Sequence, residues 1–173
     1  MARRLKTKVR ILIECVEEST DLGAGELPSR LVHRFEYNRD FASGTSNGTQ
    51  LDRVYSDTAN FTTTPLDVDI ISASSLPSKL DGSANVSLVD LCIVAATNEG
   101  ASGGGDIEVF GDGSGVVGVL KAANDIAVVK PQGCFVWIAP DGIAPVAGTG
   151  DIIQIAASTG TIEGKTLLAG RSA

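Results

Sequence analysis

The sequence is short of the residues that most enzyme chemistry needs. Its 173 residues include one histidine, three cysteines and one methionine. A Ser-His-Asp triad would have to use His33, which sits between Val32 and Arg34 in an extended stretch, and no G-x-S-x-G elbow occurs anywhere. Cys15, Cys92 and Cys134 are odd in number and lack C-x-x-C spacing, which argues against a disulfide framework or a zinc site. Each has apolar neighbours and reads as a buried free thiol, as expected in a reducing cytoplasm. The reading is non-enzymatic: no catalytic residues, no metal site and no cofactor are expected.

Aromatic residues are also scarce, at five phenylalanines, two tyrosines and one tryptophan. Stacking a sugar would fall to Tyr37 and Tyr55, because Trp137 lies in an apolar run. Asp67 and Asp69 share one face of a strand, where neighbouring carboxylates are ordinarily solvated rather than opposed across a substrate. Long apolar runs are absent too. Ile11-Leu12-Ile13 is cut off by Glu14, Glu17 and Glu18, which fits neither a signal peptide nor the roughly 20 residues of a membrane span. A soluble, unexported chain with no membrane partner is expected.

Charge is unevenly placed. The net value is −7, yet the first ten residues carry Arg3, Arg4, Lys6, Lys8 and Arg10 without an acid. The remaining 163 residues hold nine basic and 21 acidic side chains. An acidic body repels phosphate backbones, so nucleic acid is not an expected partner. The basic start suits an acidic protein neighbour, or else forms the solvent face of a first strand.

What the sequence has in quantity is glycine, 20 in all, and short runs of β-branched residues between turn formers. Strands are expected at 6–16, 30–37, 50–56, 66–70, 86–95, 106–110, 116–120, 126–130, 134–139, 152–157 and 165–168. The nearly continuous apolar run at 86–95 marks a central strand. A single helical turn fits at 76–80, and Gly or Pro interrupts most longer helical windows. Gly103-Gly104-Gly105 and Gly111-Asp112-Gly113-Ser114-Gly115 read as hairpin turns; neither precedes a P-loop lysine or a helix, and the second has too few oxygens for calcium. Asn47, Asn60 and Asn85 open glycosylation-type tripeptides that read as polar turns. Evenly spaced short strands indicate an all-β chain, an antiparallel β-sandwich of jelly-roll-like form with little helix. The expected organisation is a basic arm running into the first strand at 1–16, one sandwich domain at 17–168 and a short tail at 169–173.

Two stretches go further. Gly48-Thr49-Gln50-Leu51-Asp52-Arg53-Val54-Tyr55 carries an L-D-x-V-Y strand. Val128-Val129-Lys130-Pro131-Gln132-Gly133 leads through Ala139-Pro140-Asp141 to Gly148-Thr149-Gly150-Asp151-Ile152-Ile153-Gln154-Ile155-Ala156. Over about residues 48–160 these resemble the small β-rich structural proteins of tailed-bacteriophage virions, whose V-x-P-G-G turn has glycine where this chain has Gln132. The resemblance implies a virion component made in the host cytoplasm. Within that class, an acidic β domain with a basic arm fits a capsid decoration (cement) protein on the capsid surface. Its expected partners are the major capsid protein, bridged between neighbouring subunits, and further copies of itself as a dimer or trimer. Arg3, Arg4, Lys6, Lys8 and Arg10 are the candidate capsid-docking residues. The alternatives are a head–tail connector or tail component, and a carbohydrate- or receptor-binding module on the particle. A tail-tube subunit is disfavoured by the absence of a recognisable long hairpin or ring-lining helix.

Overall fold

The computed structural model describes residues 5–18, 30–46, 48–71, 88–111, 120, 125–147 and 150–172, and their regular structure is all strand. In chain order the strands are β1 (Thr7–Glu18), β2 (Arg30–Ser43), β3 (Gln50–Leu51), β4 (Arg53–Thr62), β5 (Leu66–Asp69), β6 (Asp90–Asn98), β7 (Ile107–Gly111), β8 (Ala127–Val129), β9 (Cys134–Ile143), β10 (Ile152–Ala157) and β11 (Thr161–Arg171). The expected helical turn at 76–80 and the expected strand at 116–120, apart from Leu120 itself, lie outside the described residues, as do Arg3 and Arg4.

Strands β4 to β11 build a sandwich of two antiparallel sheets. The long sheet runs β4-β11-β6-β9 and the short sheet β5-β10-β7-β8. The pairing is nested: β4 with β11, β5 with β10, β6 with β9, β7 with β8. Four strands go out, four come back against them, and the resulting antiparallel hairpin is rolled so that alternate pairs fall into opposite sheets. Period-two alternation supplies the core. Val68 of β5, Ile107 and Val109 of β7 and Ile153 and Ile155 of β10 point inward against Phe61, Leu91, Val94, Ile162 and Leu168 of the long sheet. Burying each such aliphatic side chain contributes about 1.5–3 kcal/mol relative to exposure.

The long sheet is buried on both faces at one end, which explains its unbroken apolar run. In β6, Leu91 and Val94 face the sandwich interior, while Cys92 and Ile93 join Phe41, Leu51 and Ala169 in a second cluster on the outer face. A β-bulge between Leu91 and Ile93 interrupts the alternation, so that Cys92 and Ile93 share the outer layer while Leu91 and Val94 stay inside. The central strand expected at 86–95 is therefore found at Asp90–Asn98, inside its sheet.

A third sheet, β1-β2-β3, caps that outer face. β1 and β2 form one long antiparallel ribbon in register from Thr7↔Phe41 to Glu18↔Arg30, and β3 adds only a two-residue parallel pairing at Ala42 and Ser43. The ribbon's base docks through Phe41, with Leu5 and Val9 packed alongside.

Several sequence readings need correction. The two opening strands are one long hairpin, so the absence of such a hairpin no longer counts against a tail component. The strand expected at 50–56 breaks at Asp52, whose carboxylate accepts bonds from the Ser172 amide (2.8 Å) and hydroxyl (2.6 Å). Asn60-Phe61-Thr62 is the end of β4 rather than a turn. Residues 169–171 are not a tail but the end of β11, held by pairing to β4 and β6. Of the three thiols only Cys92 is buried; Cys15 lies on the ribbon and Cys134 opens an edge strand, and both are exposed.

Candidate interaction surface

The residues that carry the virion resemblance lie at both ends of the sandwich, with the first motif and Pro140–Gly142 at the Asp90 end of β6 and the Pro131-Gln132 turn at its Asn98 end, and their work there is structural. Arg171, 0% exposed, is the hub. Its Nε donates to Asp90 Oδ2 at 3.1 Å, its Nη1 to the Pro140 carbonyl at 2.9 Å and its Nη2 to the Asp141 carbonyl. Gly48 donates its amide to the same Pro140 carbonyl (3.1 Å), and Asp52 donates its amide to Gly170 (3.2 Å). Gly142 adopts φ +77°, and a Cβ there would strike the Arg171 guanidinium and the Asp90 side chain. Leu51 and Tyr55 of the L-D-x-V-Y strand are buried. The second motif opens with a turn closed by the Gly133 amide on the Lys130 carbonyl (2.8 Å), with Pro131 and Gln132 at its centre. Gln132 has φ +63°, the only positive value among the described non-glycine residues. That is a type II turn, whose third position favours glycine. Buried Asn98 ties this turn down, its amide group donating to Gly105 (3.0 Å) and Val129 (2.9 Å).

Side chains proposed for chemistry are not brought together. Asp67 accepts from Gln154 Nε2 at 2.7 Å, and Asp69 accepts from the Ile71 amide at 3.0 Å. Tyr55, expected to be exposed, is in the core; burial and then the neighbouring Asp57 push its hydroxyl pKa up. Tyr37 is half-buried on the ribbon, so neither tyrosine offers an open stacking face. The Cys92 thiol is pushed up to about 11 by burial, with Arg171 opposing, and is an inert apolar filler. His33 lies on the exposed ribbon opposite Cys15. No cluster of three or more metal-ligating side chains exists among the described residues.

The surface with binding character is the ribbon. Side chains of directly paired residues share a face. One face carries Ile11/Tyr37, Ile13/Phe35 and Cys15/His33; the other carries Lys8/Asp40, Arg10/Asn38, Leu12/Glu36, Glu14/Arg34 and Val16/Val32. Among the described residues, no other element packs over the ribbon beyond its base. Ile13 is 54% and Phe35 56% exposed, and Leu12, Val16 and Val32 on the opposite face are exposed as well. Sequence reading missed this surface, since the apolar pair Leu12-Ile13 puts one side chain on each face of the strand but looks the same with or without a layer over it.

At the ribbon base a concavity of about 470 Å³ is lined by Lys6, Lys8, Asp40, Phe41 and Thr49. Of the sequence-derived docking residues, Arg10 is occupied: its Nη2 meets Asp40 Oδ1 at 2.6 Å and its Nη1 donates to the Arg39 carbonyl at 3.2 Å. Lys6 and Lys8 are exposed and carry no ion pair among the described residues.

No protein-family model, curated protein or solved structure matches this chain.

Proposed function

We propose that the chain is a non-enzymatic structural component of a tailed-bacteriophage particle, most specifically a capsid decoration protein that binds the outer surface of the shell and bridges neighbouring capsid subunits. The observation that carries an assembly role is the β1–β2 ribbon. A two-stranded ribbon is marginal in water on its own, and apolar side chains on both faces with unpaired edges are costly to expose. Such an element makes sense in a protein that spends its working life against a neighbour. The nested strand pairing supports reading the sandwich as a jelly roll, an architecture used in viral shells. The phage assignment rests on the resemblance of the two motifs, which here supply the clasp around Arg171 and the Pro131-Gln132 turn.

In this reading Lys6 and Lys8 line the docking groove for acidic side chains of the major capsid protein, and many weak symmetric contacts sum to a stable coat. Lys6→Glu with Lys8→Glu then abolishes binding to purified shells and leaves the thermal melt unchanged; unaltered binding would remove this groove from the docking mechanism. A connector or tail location is the second reading, favoured by the ribbon itself, since long hairpins suit ring assembly. Copy number per purified particle, by quantitative mass spectrometry against the major capsid subunit, separates them. A ratio within a few-fold of that subunit supports decoration. A handful of copies moves the chain to the connector or tail, and absence from the particle ends the virion reading.

A further inference from the structure

We propose that the edge of β1 at the ribbon base takes an extended acidic segment of a partner protein as an added strand, with carboxylates at alternate positions facing Lys6, Lys8 and Arg10. The inference rests on the reading of Lys6 and Lys8 as docking residues and adds the way the partner is held; it takes nothing from the phage assignment. β1 is the edge strand of its sheet, whose order among the described residues is β1-β2-β3. The pairing on its other side fixes which backbone groups that edge offers. The Ala42 amide of β2 donates to the Thr49 carbonyl at 2.9 Å, away from β1. In an antiparallel pair, residues that turn outward in this way alternate with residues that bond across the ribbon, and β1 and β2 keep one register from Thr7↔Phe41 to Glu18↔Arg30. Thr7, Val9 and Ile11 therefore bond to Phe41, Arg39 and Tyr37. Lys8, Arg10 and Leu12 turn their amides and carbonyls to the edge.

Side chains choose the occupant. Lys6, Lys8 and Arg10 follow one another at alternate positions with no acid between them, and all three are exposed. Across the ribbon on that face, Asp40 lies opposite Lys8 and meets Arg10, so the three cations still outweigh the one acid. A strand added at the edge sets its own residues directly opposite these three and on the same face, where an opposite charge stabilises the pairing and a like charge opposes it. A second copy of β1 would bring basic residues against basic ones. The edge is thereby guarded against its own kind and receptive to acids. Positions between the acids fall on the other face, beside Thr7 and Val9, and Val9 packs against the outer cluster, so apolar β-branched residues suit them. The concavity of about 470 Å³ that Lys6 and Lys8 line leaves room for the incoming carboxylates. The segment that fits this edge reads acid, apolar, acid, apolar, acid.

The test titrates the isotope-labelled full chain with a short, end-blocked peptide that alternates glutamate with valine. The amide resonances of Lys8 and Arg10 are expected to shift and their exchange with solvent to slow, while Thr7 and Val9, already bonded to β2, exchange slowly throughout. The deciding pair of probes leaves the protein unchanged. Methylating the backbone nitrogen of every glutamate removes the donors that face β1 and weakens binding by at least about tenfold; methylating every valine nitrogen blocks the far side and keeps most of the affinity. On the protein, Lys8→Gln removes one charge pair and weakens binding about three-fold. Lys8→Pro removes the outward amide as well and weakens it by at least about tenfold, with a melt close to that of the parent because that amide donates nothing to β2. Equal binding of the two methylated peptides overturns strand addition; if reversing the charges of Lys6 and Lys8 still abolishes binding to shells, the docking reading stands without it. No binding of the unmodified peptide at about 1 mM overturns it too. So does a chain that oligomerises by itself and loses this on Lys8→Pro, which gives the edge to a second copy.

Discussion

Replacing Arg171 by Met should cost about 3 kcal/mol of folding stability. The guanidinium is wholly buried and makes charge-assisted bonds to Asp90, Pro140 and Asp141. Breaking a buried pair from one side typically costs 3–5 kcal/mol, because the remaining charge is left without its partner. The lower end applies here for two reasons. The Asp90 side chain is 26% exposed, so water partly replaces the lost partner, and the Pro140 carbonyl still accepts the Gly48 amide. At roughly 2–4 °C per kcal/mol for a domain of this size, the midpoint of thermal unfolding falls by about 10 °C. In urea, with a slope of about 2 kcal/mol/M, the transition moves down by roughly 1.5 M. Adding Asp90→Leu to the Met variant should recover at least half of the loss, since an apolar pair needs no partner charge. A single variant within about 1 kcal/mol of the parent would refute the idea that this clasp holds the end of the sandwich together.

Gln132→Gly should stabilise the protein by about 1 kcal/mol, because the turn holds this residue at φ +63°, which L side chains disfavour; an unchanged or lowered urea midpoint would count against that geometry. Native thiol titration at pH 8 should modify Cys15 and Cys134 promptly in the monomer and Cys92 only after unfolding; fast reaction of all three would contradict the burial of β6. Cys92 also gives the pH curve an alkaline edge. Its folded-state pKa is raised from 9.0 to about 11, so its contribution is complete below pH 9 and is lost as pH climbs towards 11. Urea midpoints measured from pH 8 to 11 should fall across that window, and a flat profile would show that the thiol does not couple to folding.

Strands whose two faces meet different surroundings were legible in the sequence. Ile152–Ala157 alternates Ile153 and Ile155 inward with Gln154 outward, and its bounds are read directly from that pattern. Leu66–Asp69 is similar, with Val68 buried and Asp67 exposed. β6 was legible for the opposite reason, since an uninterrupted apolar run means cover on both sides. The ribbon was not, because Leu12-Ile13 and Phe35 have the same composition whether a layer lies over them or not. Burial of Arg171 was equally hidden: Ala-Gly-Arg-Ser reads as a polar end, and only the tertiary arrangement supplies Asp90 and two carbonyls to receive its donors. Cys15 and Cys134 were misjudged because apolar neighbours in a strand say nothing about whether that strand sits at an edge. Asp52, Pro140 and Gln132, singled out in the sequence only as parts of two motifs, fasten chain segments together in the structure.

The nested pairing has a temporal consequence. β11 lies between β4 and β6 in the long sheet, and its partners in β4 are about a hundred residues earlier in the chain. Until β11 leaves the ribosome, β4 and β6 each present an empty hydrogen-bonding edge across the gap that β11 will fill, and the outer cluster lacks Ala169. The fold therefore closes after synthesis of β11, in one late step set by distant contacts, and such topologies fold on the millisecond-to-second scale or slower. During that interval the half-built sheet is the state in the molecule's life most exposed to aggregation, and a chaperone acting on nascent chains would meet it there.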